Sequence, residues 1–218
     1  MSVKSVFTCD SKPPYFKRHD IEFDYNMGES LSQKRENINS VHSIFNKTIL
    51  NYPVLEISSR SEDDNGARLS AFNLYKYVPS ENRAISVECI YQAAKIFENG
   101  GLFTDLLLVD SKTAKKDERL INSGNIVGFT YEGVSYPSVP KWAFYNYIYM
   151  LALKENKDLS EYLLNFNAFS DIEFAMDSIN CQAAAAAQYV SLYKENKLGE
   201  ALSNFEAYLN VCVGRLDD

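Results

Sequence analysis

The sequence contains few of the residues on which metal and nucleophile chemistry most often depends. It has two histidines, His19 and His42, and four cysteines that form no Cys-x-x-Cys pair. A zinc site or a disulfide framework is therefore not expected, and neither a metal nor a cofactor is predicted. With both histidines in the first fifth of the chain, a Ser/His/Asp or Cys/His mechanism has weak support. Carboxylate chemistry is favoured for any catalysis.

Long apolar runs and flexible, low-complexity segments are also missing. No run approaches the roughly 18 apolar residues of a membrane span, and the N-terminus lacks the features of a signal peptide. These absences predict a soluble, cytoplasmic protein with no membrane partner. The 9 glycines and 6 prolines are spread along the chain, which argues against fibrous or disordered architectures.

Positive charge is in deficit, with 22 Lys and Arg against 29 Asp and Glu and a net charge of −7. This balance excludes a protein that coats nucleic acid through non-specific electrostatics. The 218 residues, 46% of them hydrophobic, suffice for one sizeable domain or one domain with an extension. Aromatic residues are abundant at 13%.

The N-terminal third alternates between strand and helix patterns. Period-two alternation predicts a strand over 19–25, and an amphipathic helix follows from Ser30. A short strand is expected at 54–59, then a polar loop over 60–66 and an extended segment at 69–77. This strand–helix–strand unit is typical of the opening of an α/β or α+β domain.

The remainder is predicted to be mainly helical, with a hairpin turn at Glu132-Gly133 and an irregular segment over 168–178. Apolar periodicity and capping residues predict helices over 87–97 with Ser86 as N-cap, from 111 or 113 to 121, from Ser138 to about 154, over 159–166, over 182–193 and over 198–213.

Glu88 is the most interesting carboxylate because it falls in the first turn of a predicted helix, whose dipole favours the ionised form. Gln92 and Lys95 continue its polar stripe, each about one turn further on. Such a carboxylate can activate water or stabilise a developing cation. The alternative is that acidic residues are simply common in first turns.

Lys112, Lys115, Lys116 and Arg119 are spaced so that one helix would gather them on one face. That face could hold a diphosphate or a nucleic-acid backbone. The competing interpretation is a solvated helix face interleaved with acidic residues.

Asp171 and Glu173 lie in the irregular segment, where they either join Glu88 in one cleft or form an exposed acidic connection. Asn180 and Cys181 open the alanine-rich helix, where Cys181 is either a thiolate at a helix N-terminus or a small buried side chain. Most rings of the aromatic helix are expected in the core, with one or two free to stack on a base.

Residues 86–97 carry a resemblance to a known family. Their sequence, Ser-Val-Glu-Cys-Ile-Tyr-Gln-Ala-Ala-Lys-Ile-Phe, resembles the NADAR signature: a small residue, any residue, then Glu-His-Tyr-Phe-Gln-Ala-Gln-Lys-Phe. Ser70-Ala-Phe-Asn resembles the family's Ser-Asn-Phe segment. Ala114-Lys-Lys-Asp resembles its small, basic, Asp stretch, and Lys141 suits its helical lysine.

The resemblance covers about residues 69–193 and implies an α+β, mainly helical NADAR domain of YbiA-like fold with a small β-sheet. By this comparison residues 67–218 form that domain, and residues 1–66 form an N-terminal α/β extension packed on it. The N-terminal portion resembles a bacterial branch associated with DNA ADP-ribosyltransferase toxin operons. One departure is clear: the family's Tyr-Trp-Gly segment before its last core helix is replaced by Phe-Ser-Asp-Ile-Glu-Phe at 169–174.

The resemblance also implies a function, the removal of ADP-ribose from modified nucleobases, with guanine in DNA as the first candidate. Its expected partners are ADP-ribosylated nucleic acid or an ADP-ribose-containing small molecule, together with a toxin protein. Two alternatives remain open: a catalytically silent ADP-ribose-binding module, and an antitoxin that neutralises its toxin by direct contact.

The site residues expected on these grounds form two groups. The catalytic residues are Glu88 with Asp171 or Glu173, and the substrate-binding residues are Ser70, Phe72, Asn73, Gln92, Lys95, Lys115, Lys116, Arg119, Lys141 and Asn180.

Overall fold

The computed structural model describes residues 2–28, 30–173 and 181–214. Helices and small sheets are mixed along the chain, so the predicted α+β class is confirmed. The strands are β1 Ser2–Cys9, β2 Phe16–Phe23, β3 Val54–Glu56, β4 Tyr75–Val78, β5 Arg83–Ser86, β6 Lys95–Phe97, β7 Ile126–Tyr131, β8 Val134–Pro137 and β9 Ala168–Ser170. The helices are α1 Leu31–Thr48, α2 Asp64–Arg68, α3 Val87–Ala94, α4 Ser111–Lys116, α5 Arg119–Asn122, α6 Ala143–Glu155, α7 Lys157–Leu163, α8 Gln182–Lys194, α9 Leu198–Ala201 and α10 Phe205–Cys212, with 3-10 turns at Pro79–Glu81 and Thr104–Leu108.

The largest sheet has the strand order β2-β1-β9-β3. β1 runs antiparallel to both β2 and β9, whereas β3 pairs with β9 in parallel. The short strand β9 therefore ties the N-terminal strands to the later part of the chain. The smaller sheets are the β4-β5 hairpin and the antiparallel β6-β7-β8 sheet.

The predicted helix after Ser30 is confirmed as α1, and it begins with a capping box between Ser30 and Gln33. Its buried residues Ile38, Val41 and Phe45 form the predicted apolar face. Val41 and Phe45 pack in one apolar cluster with residues of β1, β2 and β9. The helix therefore covers one face of the largest sheet.

Helices α6 and α8 form the centre of the protein. Nearly all of α6 is buried, including its aromatic residues. Helix α8 is buried from Gln182 to Leu192. The alanines at 183–187 keep α8 slim, and the helix packs against both α6 and β1. All five alanines at 183–187 are buried.

Two segments next to the site differ from their predicted structure. The extended segment expected at 69–77 is a turn up to Leu74, and only β4 is extended. The helix expected over 87–97 does begin at its Ser86 cap but stops at Ala94, because Lys95–Phe97 pairs with β7 as strand β6. Pairing with a distant strand thus overrides the local helical periodicity.

Further predicted helices are interrupted by residues that favour caps. The helix expected to run to 121 breaks at Asp117, whose carboxylate accepts the Arg119 backbone N–H at 2.9 Å. The helix expected over 198–213 divides before Asn204, which caps α10. Short polar side chains compete with the helical backbone for hydrogen bonds, which accounts for both breaks.

Three further predictions concern a hairpin turn, an irregular segment and a helix cap. The hairpin turn at Glu132-Gly133 is confirmed, and both residues have positive φ, 50° and 74°. Part of the segment expected to be irregular over 168–178 forms β9, while residues 174–180 lie outside the described part of the chain. Ser138 does not cap the aromatic helix, which begins after Trp142 without a side-chain cap.

Among the described residues, no helix combines the length and apolar character that a membrane span requires.

The two predicted caps provide a stability test. Ser86 Oγ accepts the Cys89 backbone N–H at 3.2 Å and the Ser111 hydroxyl at 2.8 Å. We expect Ser86→Ala to lower the free energy of unfolding by about 1–2 kcal/mol in urea denaturation, because a helix donor loses its acceptor. The matched change Ser138→Ala removes no cap and should stay within about 0.5 kcal/mol of the wild type. Equal losses for the two variants would contradict this account.

Candidate functional site

A cavity of about 310 Å³ opens where α3, the turn before β4, α4 and the segment after β9 meet. Its walls are both polar and aromatic. It is lined by Ser70, Ala71, Phe72, Glu88, Tyr91, Gln92, Lys95, Lys115, Ile126, Tyr145, Asp171, Glu173 and Gln182.

The cavity brings together most of the site residues expected from sequence, including all three carboxylates. Of the others, Lys141 lines a neighbouring hollow of about 450 Å³ that shares Tyr91, Lys95 and Ile126 with the cavity. Asn73 lines a groove on the opposite side of Phe72. Lys116 is exposed and does not line the cavity, and Asn180 lies outside the described residues.

The predicted continuous basic face does not exist, because α4 and α5 are separate helices. Arg119 belongs to the second of these and pairs with two aspartates, with Nη2 2.7 Å from Asp105 and 2.8 Å from Asp117. Its charge is therefore already matched. Lys115 is the member of the predicted face that reaches the cavity.

Glu88, Gln92 and Lys95 form a hydrogen-bonded chain along one wall. Lys95 Nζ donates to Gln92 Oε1 at 2.5 Å, and Gln92 Nε2 donates to Glu88 Oε1 at 2.8 Å. The amide is thus oriented by both neighbours. The side chain of Glu88 also lies in the first turn of α3. Within the described part of the chain, Gln92 is the one donor to this carboxylate, so Oε2 remains available to a ligand.

The ammonium group of Lys95 is partly desolvated by burial. Burial lowers its pKa to about 8, while Glu88 opposes the shift and Lys115 adds to it. Its Nζ lies 4.7 Å from the centroid of the Tyr91 ring, a cation–π arrangement. A lysine in this state gains from an anionic ligand, which would replace the water lost by burial.

Asp171 lies in a setting that favours its protonated form. Burial raises the pKa of Asp171 well above its usual range, Glu56 and Glu173 raise it further, and Lys115 opposes them. The side chain is only 8% exposed and faces the cavity. A buried carboxylic acid with a raised pKa is suited to donate a proton.

Glu56 accepts hydrogen bonds from the residues on both sides of Asp171. Its Oε1 accepts the Ile172 backbone N–H at 2.8 Å, and its Oε2 accepts the Ser170 hydroxyl. His42 Nε2 lies 2.7 Å from the same Ser170 oxygen, and burial lowers the pKa of His42 to about 4, so its ring is neutral. Lys115 lowers the pKa of Asp171, and the charge of Asp171 in turn raises the pKa of Lys4.

Glu173 is already engaged outside the cavity. Its carboxylate accepts the Ser59 N–H at 3.1 Å and the Ser59 hydroxyl, and its Oε1 lies 3.3 Å from Arg60 Nε. Of the two acids expected after β9, Asp171 is therefore the one available for chemistry. Glu173 connects this segment to the loop after β3.

Sequence reasoning missed Gln182, Tyr91 and Tyr145 as site residues. Gln182 is the first residue of α8, and its polar side chain directly before the alanines at 183–187 is a signal that could have identified it. Tyr91 fits the apolar periodicity of α3, although it stands at the aromatic position of the sequence motif. Tyr145 packs edge-on against Tyr91, with centroids 5.1 Å apart, and is the ring of the aromatic helix that reaches the cavity.

The arrangement defines an α+β protein with a polar and aromatic cavity that holds Glu88 and the buried Asp171 beside two lysines. In the described ranges no group of His, Cys, Asp and Glu is suited to hold a metal ion. Such a cavity fits a small anionic ligand with rings or sugars. It is the kind of site in which carboxylates perform acid–base chemistry.

A family model described as the DarT1-associated NADAR antitoxin matches residues 2–217. The chain belongs to this family. Membership implies an antitoxin role and a DarT toxin as the counterpart. No curated protein matches the sequence.

The buried acid makes a prediction about stability. Because the pKa of Asp171 is raised in the folded state, that state holds the proton more tightly than the unfolded chain. The contribution of Asp171 to the free energy of unfolding should therefore fall as pH rises from about 4 towards the folded-state pKa, by at most about 1.4 kcal/mol per pH unit. Asp171→Asn has no such proton, so its free energy of unfolding relative to the wild type should increase as pH rises above about 4.

Urea denaturation at several pH values measures this difference. Asp24→Asn, at an exposed aspartate, is the matched control and should follow the wild-type pH profile. Parallel profiles for Asp171→Asn and the wild type would show that Asp171 is ionised in the folded protein.

Proposed function

We propose that the protein is an ADP-ribosyl glycohydrolase that removes ADP-ribose from a modified nucleobase, and that this repair is its antitoxin activity. Guanine in DNA is the first substrate to test, on the strength of the sequence resemblance. The observation that carries the proposal is that Glu88 and the buried Asp171, whose pKa is raised, line one cavity. Hydrolysis of an N-glycosidic bond needs both a carboxylate and an acid.

Both carboxylates have a role in the proposed reaction. As the C1″–N bond to the base breaks, positive charge develops on the ribose ring, and the Glu88 carboxylate stabilises it. Asp171 gives its proton to the departing base nitrogen. Water adds to C1″ and loses a proton to Glu88, so that ADP-ribose and the unmodified base are released. Proton exchange with solvent then restores both carboxylates to their starting states.

The lysines suit the diphosphate of the substrate. Lys95 lies where the cavity meets the hollow that contains Lys141, and Lys115 lines the cavity beside Phe72. A diphosphate at Lys95 would place the distal ribose near Glu88 and the adenosine in the hollow. Phe97 and Phe129 give that hollow aromatic walls on which adenine can pack.

The first test is Glu88→Gln. Without this carboxylate we expect kcat on guanine-ADP-ribosylated single-stranded DNA to fall at least about a hundredfold, measured as ADP-ribose released. Glutamine is nearly isosteric, so the thermal midpoint should change little. Glu161→Gln, at an exposed glutamate of α7, is the control and should retain wild-type turnover.

The same experiment separates the proposal from its alternatives. Full turnover by a folded Glu88→Gln protein would contradict the role of Glu88. Absence of release by the wild type, with ADP-ribose still bound in calorimetry, would indicate a binding module. Neither release nor binding, together with a stable stoichiometric toxin complex, would indicate neutralisation by contact.

The Lys95 pKa predicts the pH dependence of binding. Lys95 is charged below pH 8 and neutral above it, so the Kd for ADP-ribose should rise above about pH 8, at most tenfold per pH unit. Calorimetric titrations from pH 6.5 to 9.5 measure this change. Lys95→Met should bind weakly at every pH without the step, whereas Lys116→Met, outside the cavity, should keep it. A step that persists in Lys95→Met would assign it to another group.

A further inference from the structure

A second groove, of about 430 Å³, adjoins the cavity at Phe72. Phe72 lines both spaces, so a chain-like ligand can pass from one to the other over this ring. We call this second space the flanking groove. It is lined by Phe72, Asn73, Tyr75, Arg83, Ala84, Ile85, Ser86, Leu107, Val109, Asp110, Ser111 and Lys112.

The flanking groove has positive charge available for an anion, although the protein is acidic overall. Lys112 and Lys115 lie one turn apart on α4, the first in the groove and the second in the cavity. Neither forms an ion pair among the described residues, in contrast to Arg119. Arg83 donates from Nη2 to the Leu107 carbonyl, and its remaining guanidinium donors are available.

The one acidic side chain in the flanking groove is engaged by its own helix. Asp110 Oδ1 accepts the backbone N–H groups of Lys112 at 3.0 Å and Thr113 at 3.1 Å. Its Oδ2 accepts the Thr113 hydroxyl at 2.5 Å. Asp110 therefore caps α4 and pairs with neither Lys112 nor Arg83, which leaves both cations for a ligand.

The flanking groove also has a ring exposed for stacking. Tyr75, on β4, is 50% exposed and lines the groove. Lys115 Nζ lies 4.9 Å from the centroid of the Phe72 ring at the junction. Exposed rings next to unpaired cations are the two elements with which proteins bind single-stranded nucleic acid.

We propose that the flanking groove binds the nucleotide next to the modified base in a single-stranded nucleic acid. Lys112 and Arg83 contact its phosphate, and its base stacks on Tyr75. The inference rests on the proposed function, because the modified nucleotide must occupy the adjoining cavity. A duplex would keep that nucleotide stacked and out of reach, which is why the strand is single.

The test compares two substrates that differ only beyond the modified nucleotide: a guanine-ADP-ribosylated 12-mer and ADP-ribosylated guanosine. Tyr75→Ala and Lys112→Met should each lower kcat/KM for the 12-mer about tenfold and leave that for the nucleoside unchanged. Lys112→Met should also reduce the salt dependence of 12-mer affinity by about 0.7 in the log–log slope.

The controls are matched in position and exposure. Tyr77 lies on the same strand at 48% exposure, and its hydroxyl is bonded to Asn82. Lys116 is exposed on α4 and lies outside both the cavity and the flanking groove. Tyr77→Ala and Lys116→Met should behave as the wild type on both substrates.

The outcomes distinguish failure of the groove from failure of the proposed function. Equal losses on both substrates would overturn the inference, because the groove would then hold part of the modified nucleotide itself. Unchanged 12-mer kinetics in both variants would also overturn the inference.

If the wild type cleaves neither substrate, the proposed function fails. Fluorescence anisotropy with an unmodified 12-mer then tests whether the flanking groove binds single-stranded nucleic acid. Weaker binding of the 12-mer by Tyr75→Ala and Lys112→Met than by the controls supports the flanking-groove proposal, and equal binding overturns that proposal.

Discussion

The site depends on one side-chain amide that joins three segments far apart in the chain. Gln182, at the start of α8, accepts the Ala71 backbone N–H at 2.6 Å and donates to the Ile57 carbonyl at 2.5 Å. Ala71 in turn accepts the Glu88 backbone N–H at 3.0 Å, which fixes the start of α3. A buried amide with both ends bonded tolerates little displacement, because each lost bond leaves an unpaired polar group. The cavity is therefore built around Gln182 before any ligand enters.

Two ionisable groups of the cavity lower the stability of the folded protein. A buried carboxylic acid at Asp171 and a partly desolvated ammonium at Lys95 both oppose folding at neutral pH, because each group would be better solvated in the unfolded chain. The surrounding structure compensates for both. The buried helices α6 and α8 supply apolar contact, and Glu56 accepts one hydrogen bond from the Ile172 backbone and one from the Ser170 hydroxyl. Such a local cost is typical of functional sites.

Sequence patterns predicted the elements better than the contacts between them. The Ser86 cap and the i, i+4 spacing of Glu88 and Gln92 depend on local geometry, so they could be predicted. The pairing of Lys95–Phe97 with β7 and the ion pairs of Arg119 are non-local, and helical periodicity carries no information about them. The hydrogen bonds of Gln182 could not be predicted for the same reason, since its two partners lie more than a hundred residues away in the chain. The resemblance to NADAR proteins supplied what periodicity could not, the order of the site segments along the chain.

The abrupt end of α3 shows how a departure from regular structure organises the site. At Lys95 the backbone turns extended, with φ −66° and ψ 134°, and enters β6. The ammonium still reaches back to Gln92, while the strand itself pairs with β7, whose Ile126 lines both the cavity and the hollow beside it. Had the helix continued, Lys95 would have lain on a helix face and β6 would not have formed this wall. The junction at which we place the diphosphate therefore exists because strand pairing overrides helix propensity at one residue.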